Sequence, residues 1–228
     1  MVKKNFQWVI IFVPVFFMAG CARLSPGKAV IPEAVRVEEE LSRQSFAKEL
    51  PGNFTVVSTV VFKYNFLTFS ALGITRINEA AKEFDVTAMT PVGVKLIELS
   101  SRNGALTCSF AMPELAARGD ISRAVSENIE RIYFSRVPPE GTQSGRRGRF
   151  MFFSVPSEEG VTEYFFGKEK EDTVLLHKRF LSAGKRIWDV SYNGYFRDKQ
   201  GKVHPRNIVF IHHAYSYRLL LRVKELRS

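Results

Sequence analysis

Phe54-Thr55-Val56-Val57-Ser58-Thr59-Val60-Val61-Phe62-Lys63-Tyr64-Asn65-Phe66 alternates with a period of two. Phe54, Val56, Ser58, Val60, Phe62, Tyr64 and Phe66 share one parity, dominated by large apolar groups, while Thr55, Thr59, Lys63 and Asn65 take the other. Successive side chains of a strand point to opposite faces. The stretch therefore predicts a long strand with one greasy and one wet face. Working outward, the same period runs through 69–77, 84–89, 94–99 and 105–110, divided by 78–83, Pro91-Val92-Gly93 and Arg102-Asn103-Gly104, which read as turns. An antiparallel meander follows.

Pro113 ends that series, and Asp120 then precedes Ile121, Val125, Ile129, Ile132 and Tyr133, a helical stripe behind an N-cap residue. Residues 137–149 hold prolines, glycines, Arg146, Arg147 and Arg149, and read as an exposed loop. Strands resume at 150–155, 161–167, 173–181, 186–196, 207–212 and 215–224. The last sets Tyr217, Leu219, Leu221 and Val223 against Arg218, Arg222 and Lys224. Ahead of the first strand, Ala34, Val37, Leu41 and Phe46 lie three to five apart with Glu38, Glu39 and Glu40 between them, the spacing of a short amphipathic helix. The expected class is mainly β with helices (α+β), about eleven strands and two or three helices. Twenty phenylalanines and seven tyrosines give the inner face more bulk than a thin sandwich needs. A sheet curved around a lipid-sized hollow would use it, and so would a filled barrel core.

The first residues carry a different signal. Lys3 and Lys4 precede an apolar run over 6–17 and then Met18-Ala19-Gly20-Cys21, the layout of a secretory signal too short to span a bilayer with margin. Small residues before that cysteine resemble the lipobox of bacterial lipoproteins, which implies cleavage ahead of Cys21 and its acylation. Ala22 beside it implies the outer membrane rather than retention at the inner one. An uncleaved signal anchor with a chance cysteine is the alternative. The expected organisation is a signal peptide at 1–20, a lipidated tether at 21–32 containing Pro26, Gly27 and Pro32, and one domain at 33–228.

A formal charge of +10 suits acidic partners or anionic head groups. An exported chain meets little nucleic acid, and the basic residues are spread along it apart from Arg146-Arg147-Gly148-Arg149, so no nucleic-acid partner is expected. With Cys21 acylated, Cys108 has no disulfide partner and is expected as a small buried hydrophobe. There is no Gly-x-Ser-x-Gly, His-Glu-x-x-His, glycine-rich phosphate loop or Cys-x-x-Cys. The histidines are His177, His204, His212 and His213, and the adjacent pair is expected on opposite faces of a strand, at surface or rim, unable to share a metal. No enzymatic activity, metal or cofactor is expected. An enzyme acting on envelope lipids or glycans would need a polar cluster at a pocket mouth that the sequence does not reveal.

Two segments add a resemblance. The first is Phe84-Asp85-Val86-Thr87-Ala88-Met89-Thr90-Pro91-Val92-Gly93 with the returning strand 94–99. The second is Ile187-Trp188-Asp189-Val190-Ser191-Tyr192-Asn193-Gly194-Tyr195, then His204-Pro205 and the strands to Lys224. Together they resemble the LolA/LolB-like lipoprotein-carrier family, LolB-type outer-membrane receptors above all, over most of 50–225. The resemblance implies an incomplete antiparallel β-barrel with a helical lid, whose hollow holds lipoprotein acyl chains handed over by a periplasmic LolA-like carrier, without cofactor. It also implies a lipid-anchored location on the periplasmic face of the outer membrane.

The physics of such a handover is restrictive: at about 0.8 kcal/mol per CH₂, exposing a chain of about 16 carbons to water costs on the order of 13 kcal/mol. Acyl chains must pass directly between apolar pockets. In the family a Pro-Leu-Gly loop delivers cargo to the membrane; Pro91, Val92 and Gly93 stand there, with a plain hairpin turn as the alternative. For the cavity the expected residues are Val60, Phe62, Tyr64, Trp188, Val190, Tyr192, Leu219 and Leu221, types that a core would also use. A different function for the same fold is a structural or assembly subunit of the outer membrane that carries no lipid cargo.

Overall fold

In the computed structural model the described residues are 33–117 and 119–227, the side chains of 33–37 excepted. The expected signal, tether and Cys21 lie outside them. The elements are α1 (Glu33–Glu49), β1 (Asn53–Tyr64), β2 (Leu67–Asn78), β3 (Glu83–Met89), β4 (Lys95–Arg102), β5 (Ala105–Ala111), α2 (Pro113–Ala116), α3 (Ile121–Tyr133), β6 (Gln143–Arg147), β7 (Phe150–Ser157), β8 (Gly160–Glu169), β9 (Asp172–Ser182), β10 (Lys185–Asn193), β11 (Phe196–Arg197), β12 (Val203–His204), β13 (Asn207–His212) and β14 (Tyr217–Arg227).

Twelve strands form one sheet in the order β5-β4-β3-β2-β1-β14-β13-β10-β9-β8-β7-β6, and β11 pairs with β12 apart from it. Two meanders are thus joined where the first and last strands pair antiparallel, with Phe62 opposite Leu219. Within each meander the strands are joined by short hairpins, except that β10 reaches β13 through the separate β11–β12 pair. Asn103 and Gly104, both at positive φ, close β4 onto β5 as a two-residue loop with right-handed strand twist requires. Because β5 and β6 each have one partner, the barrel does not close.

The inner face carries the core. Phe54, Val56 and Ser58 of β1 are buried, as their shared parity predicts, with Ile77 and Thr75 opposite them on β2. Over this face lies α3, started by Asp120, whose carboxylate accepts from the Arg123 amide at 3.0 Å. It buries Ile129, Ile132 and Tyr133. The Tyr192 hydroxyl donates to the Ile132 carbonyl and the Tyr217 hydroxyl to Asn128 Oδ1, each at 2.7 Å, so strand side chains fasten the helix to the sheet. The second cover is α1, which lies against β6 and β9 and sets Phe46 edge-on to Phe166 at 5.4 Å.

Several expectations need correction. Residues 143–147, expected as loop, form edge strand β6, and its cations are engaged: Arg146 pairs with Glu38 at 2.6 Å, Arg147 lies over Phe152, and Arg149 of the following turn lies over Phe150. Polar composition hid a strand because an edge strand gains from charged residues that discourage further pairing. In α1, Leu41 faces solvent at 62% exposure, and the inward face is Glu39, Arg43 and Phe46, followed by buried Leu50 just past the helix. Arg43 takes the apolar position because it is held by Glu40, by the Pro138 carbonyl at 3.2 Å and by Glu140. The carboxylate of Glu39 has no hydrogen-bond partner among the described residues.

Cys108 is exposed rather than buried, since β5 lies at the sheet edge and its residues 105–110 are open on both sides. His212 is buried on the inner face rather than at surface or rim, while His213, in the turn after β13, bonds Asp189 on the outer face. Finally, 186–196 is not one strand: β10 stops at Asn193, where Gly194 turns with φ +68°.

Candidate functional site

Three rows of cross-strand partners run over the inner face. Trp188, His212, Tyr217 and Tyr64 form the first, Val190, Phe210, Leu219 and Phe62 the second, and Tyr192, Ile208, Leu221 and Val60 the third. On β2 they continue into Leu67, Phe69 and Ala71. All eight residues expected to line a cavity stand in these rows. They do not share one environment. At the β10–β13 side Trp188, Val190, Tyr192, Ile208 and Phe210 are buried, and Leu221 is buried beside them on β14. Towards β1 and β2 the rows emerge: Val60, Phe62 and Leu219 are half-buried, and Tyr64 and Phe69 are 41% and 42% exposed.

The site is therefore an apolar slope. Val190 and Tyr192 are core residues under α3, and the open part is Val60, Phe62, Tyr64 and Leu219 with Phe69, the Phe62 ring lying 5.0 Å from Phe69 and 5.6 Å from Tyr217. Small Ala71 and Gly73 beside Val60 leave its floor low. Trp188 also borders a cleft of about 440 Å³ with Phe180, Ile187, Tyr215, Glu127 and Arg131. A second cleft of about 390 Å³, lined by Arg76, Asp85, Arg102 and Arg227 among others, contains none of the expected cavity residues.

The second row also holds an unexpected cation. Lys178, opposite both Val190 and Tyr164, is buried. Its ammonium donates to the Phe134 carbonyl at 3.1 Å and the Ser135 carbonyl at 3.4 Å, at the C-terminal end of α3, where a cation meets the negative end of the helix dipole. Burial, with the positive charges of Arg136 and Lys82, pushes its pKa down to about 7. Burial, helped by Arg131, likewise lowers His212 to about 4 and keeps it neutral.

The turn at 90–94 is well specified. The Thr90 carbonyl accepts from the Gly93 amide at 2.9 Å, Thr90 Oγ1 accepts from the Val94 amide at 3.0 Å, and the Val94 carbonyl accepts from the Thr90 amide at 2.8 Å. Gly93 sits at φ +88°, which disfavours a side chain there. Val92 at its apex is 86% exposed.

A polar group that sequence reasoning missed lies on the outer face. Asp189 is approached by His177 at 3.1 Å and by His213, and His177 Nδ1 lies 3.1 Å from Ser191 Oγ. Burial alone would raise the Asp189 pKa; hydrogen bonds with His177 and His213 and the charge of Arg186 outweigh it, so the carboxyl titrates below its ordinary range. Its signal was the parity of β10, since Asp189 and Ser191 alternate with Trp188, Val190 and Tyr192. None of these groups lines either cleft. Among the described residues no group of three or more His, Cys, Asp or Glu could hold a metal ion.

No protein-family model matches the sequence, and no curated protein matches it. Solved structures do. A LolA superfamily protein from Nitrosomonas europaea superposes with a TM-score of 0.51 at 10% identity, over 82% of this chain and 93% of that one. A DUF1329 family protein from Desulfovibrio piger gives 0.50 at 8% identity, over 85% and 92%. A Vibrio parahaemolyticus domain provisionally described as an outer membrane lipoprotein-sorting protein gives 0.45 at 12%, over 84% and 91%. The chain has the LolA-like fold, an incomplete antiparallel barrel with a helical lid.

Proposed function

We propose that this protein is a lipid-anchored acceptor on the periplasmic face of the outer membrane, held by acylated Cys21, that receives lipoprotein acyl chains from a LolA-like carrier and inserts them into the bilayer. The observation that carries the reading is the slope of Val60, Phe62, Tyr64, Phe69 and Leu219, apolar, partly open and continuous with the core. An acyl chain laid on it replaces water over those side chains, and the transfer needs no chemical step. Val92, at the end of the sheet to which the slope opens, would lead the chain into the membrane.

Val92→Glu is expected to leave the fold intact, because the side chain is almost wholly exposed. It should slow transfer of an acylated lipoprotein from carrier to vesicles by about tenfold or more, given the roughly 1.5–3 kcal/mol gained by burying a valine. Transfer at the rate of the unsubstituted chain would remove the assignment.

A second reading, a structural or assembly subunit without cargo, is favoured by the packing around Val190, Tyr192 and Phe210, each at most 1% exposed. Mass spectrometry of lipids extracted from the purified native protein separates the two. Bound acyl lipid beyond the Cys21 anchor supports the acceptor, and its absence supports the subunit.

A further inference from the structure

The hairpin joining β1 to β2 ends in Tyr64-Asn65-Phe66-Leu67, with Asn65 at φ +51°. Phe66 is fully exposed, Leu67 is 48% exposed, and Tyr64 and Phe69 present large surfaces beside them. Large side chains gathered at one tip are a costly surface to leave in water. Just behind them, Lys63 of β1 stands directly opposite Arg218 of β14, both exposed. Like charges facing each other across a strand pair destabilise a sheet unless an anion lies between or against them. The chain supplies none nearby in sequence: no Asp or Glu occurs from Asn53 to Asn78, which contains β1 and β2, or from Lys199 to Lys224, and the single acid of β13 and β14, Glu225, pairs opposite Val57 towards the other end of the strand and bonds Arg227.

We propose that this hairpin tip is a bilayer-contact element, distinct from the 90–94 turn, which seats Phe66 and Leu67 in the acyl boundary of an anionic membrane and Lys63 and Arg218 against lipid phosphates. The order along the hairpin fits an interface. Aromatic and aliphatic groups come first, and two cations on flexible stems follow one position behind Tyr64, where they reach head groups. Both candidate elements lie at one end of the sheet, since Leu72 pairs with Met89 and the hairpin continues past that level. Two contacts fix the sheet's orientation to the membrane, which one turn cannot. The inference does not depend on whether the protein carries cargo.

The test uses the full chain carrying Phe66→Trp, reconstituted in phosphatidylcholine vesicles with or without phosphatidylglycerol and containing lipids brominated along the acyl chain. Emission of the unsubstituted chain is subtracted to remove the native tryptophan signal. With phosphatidylglycerol, the added emission is expected to shift to the blue and to be quenched by bromine. Adding Lys63→Glu and Arg218→Glu should weaken that contact by about tenfold or more, at roughly a factor of five for each cation removed near the surface. Unquenched, water-like emission overturns the proposal, and equal quenching in neutral vesicles overturns the role of the cations. A blue shift that grows with protein concentration and ignores the lipid would assign the tip to a second copy of the chain. Quenching in a protein that fails to take up lipoprotein would remove the acceptor function and keep this contact.

Discussion

Replacing Lys178 with methionine is expected to make the protein several kcal/mol more stable at pH 6 and to flatten a rise in stability that the unsubstituted chain shows between pH 7 and pH 9. Lys178 lies buried with carbonyl partners at Phe134 and Ser135, and it titrates near 7 instead of 10.5. Below pH 7 the ammonium is charged in folded and unfolded chains alike, so its full burial cost weighs on the fold. Between 7 and 10.5 the unfolded chain holds a proton that the folded chain has lost, so the unfolding free energy climbs with pH. At 1.36 kcal/mol per unit, less the half-titration already present at pH 7, the two units from 7 to 9 give about 2 kcal/mol.

Methionine removes the charge and its titration, and forgoes hydrogen bonds worth about 1 kcal/mol each to the carbonyls it leaves. Urea unfolding at pH 6, 7, 8 and 9 reads the effect before the buried tyrosines, whose pKa values are raised, begin to titrate. A flat profile for the unsubstituted chain would refute it. The consequence for the lid is direct: the group that fastens the end of α3 changes charge near neutral pH.

The sheet was legible because one parity, set at Phe54 to Phe66, carries the apolar side chains of the central strands, and the buried part of that face fixes the register apart from a bulge at Val57–Ser58 against β14. That parity also placed all eight expected cavity residues on one face. It could not divide them. Whether Tyr192 is core and Tyr64 open depends on where α3 crosses the sheet, and that is decided by contacts such as Tyr192 to Ile132, sixty residues apart in the chain. The same blindness to distance explains Lys178 and Arg43, whose charges look outward in sequence but find carbonyls of Phe134, Ser135 and Pro138 inside the fold. At the edges the error ran the other way: β5 is patterned like an inner strand yet has no second neighbour, so Cys108 stays exposed. The 90–94 turn was readable from Pro91 and Gly93, and the Asp189 cluster was not, because its histidines come from two other segments.

The filled and open halves of the slope meet at Phe210, and Phe210→Ala is expected to lower stability by about 3–5 kcal/mol, the range for deleting a buried aromatic ring. The ring is fully buried, 6.5 Å from Trp188 and 5.9 Å from Tyr217 by centroids, and closes the second row between Val190 and Leu219. At about 2–4 °C per kcal/mol for a domain of this size, the melting temperature should fall by roughly 10 °C. What the vacancy does next bears on function. An apolar cavity stays dry and accepts apolar guests, and a ligand bound only by the folded state stabilises it by RT ln(1 + [L]/Kd), about 2.7 kcal/mol at 100 Kd. Without Phe210 the slope of Phe62 and Leu219 runs on to Val190 and Trp188, so a free fatty acid should recover more of the melting temperature in the variant than it adds to the unsubstituted chain. If the acceptor reading holds, the unsubstituted chain also gains, because the open half already offers a seat. If fatty acid moves neither melting temperature, the rows do not form a continuous apolar track, and the slope loses its role as an acyl-chain site.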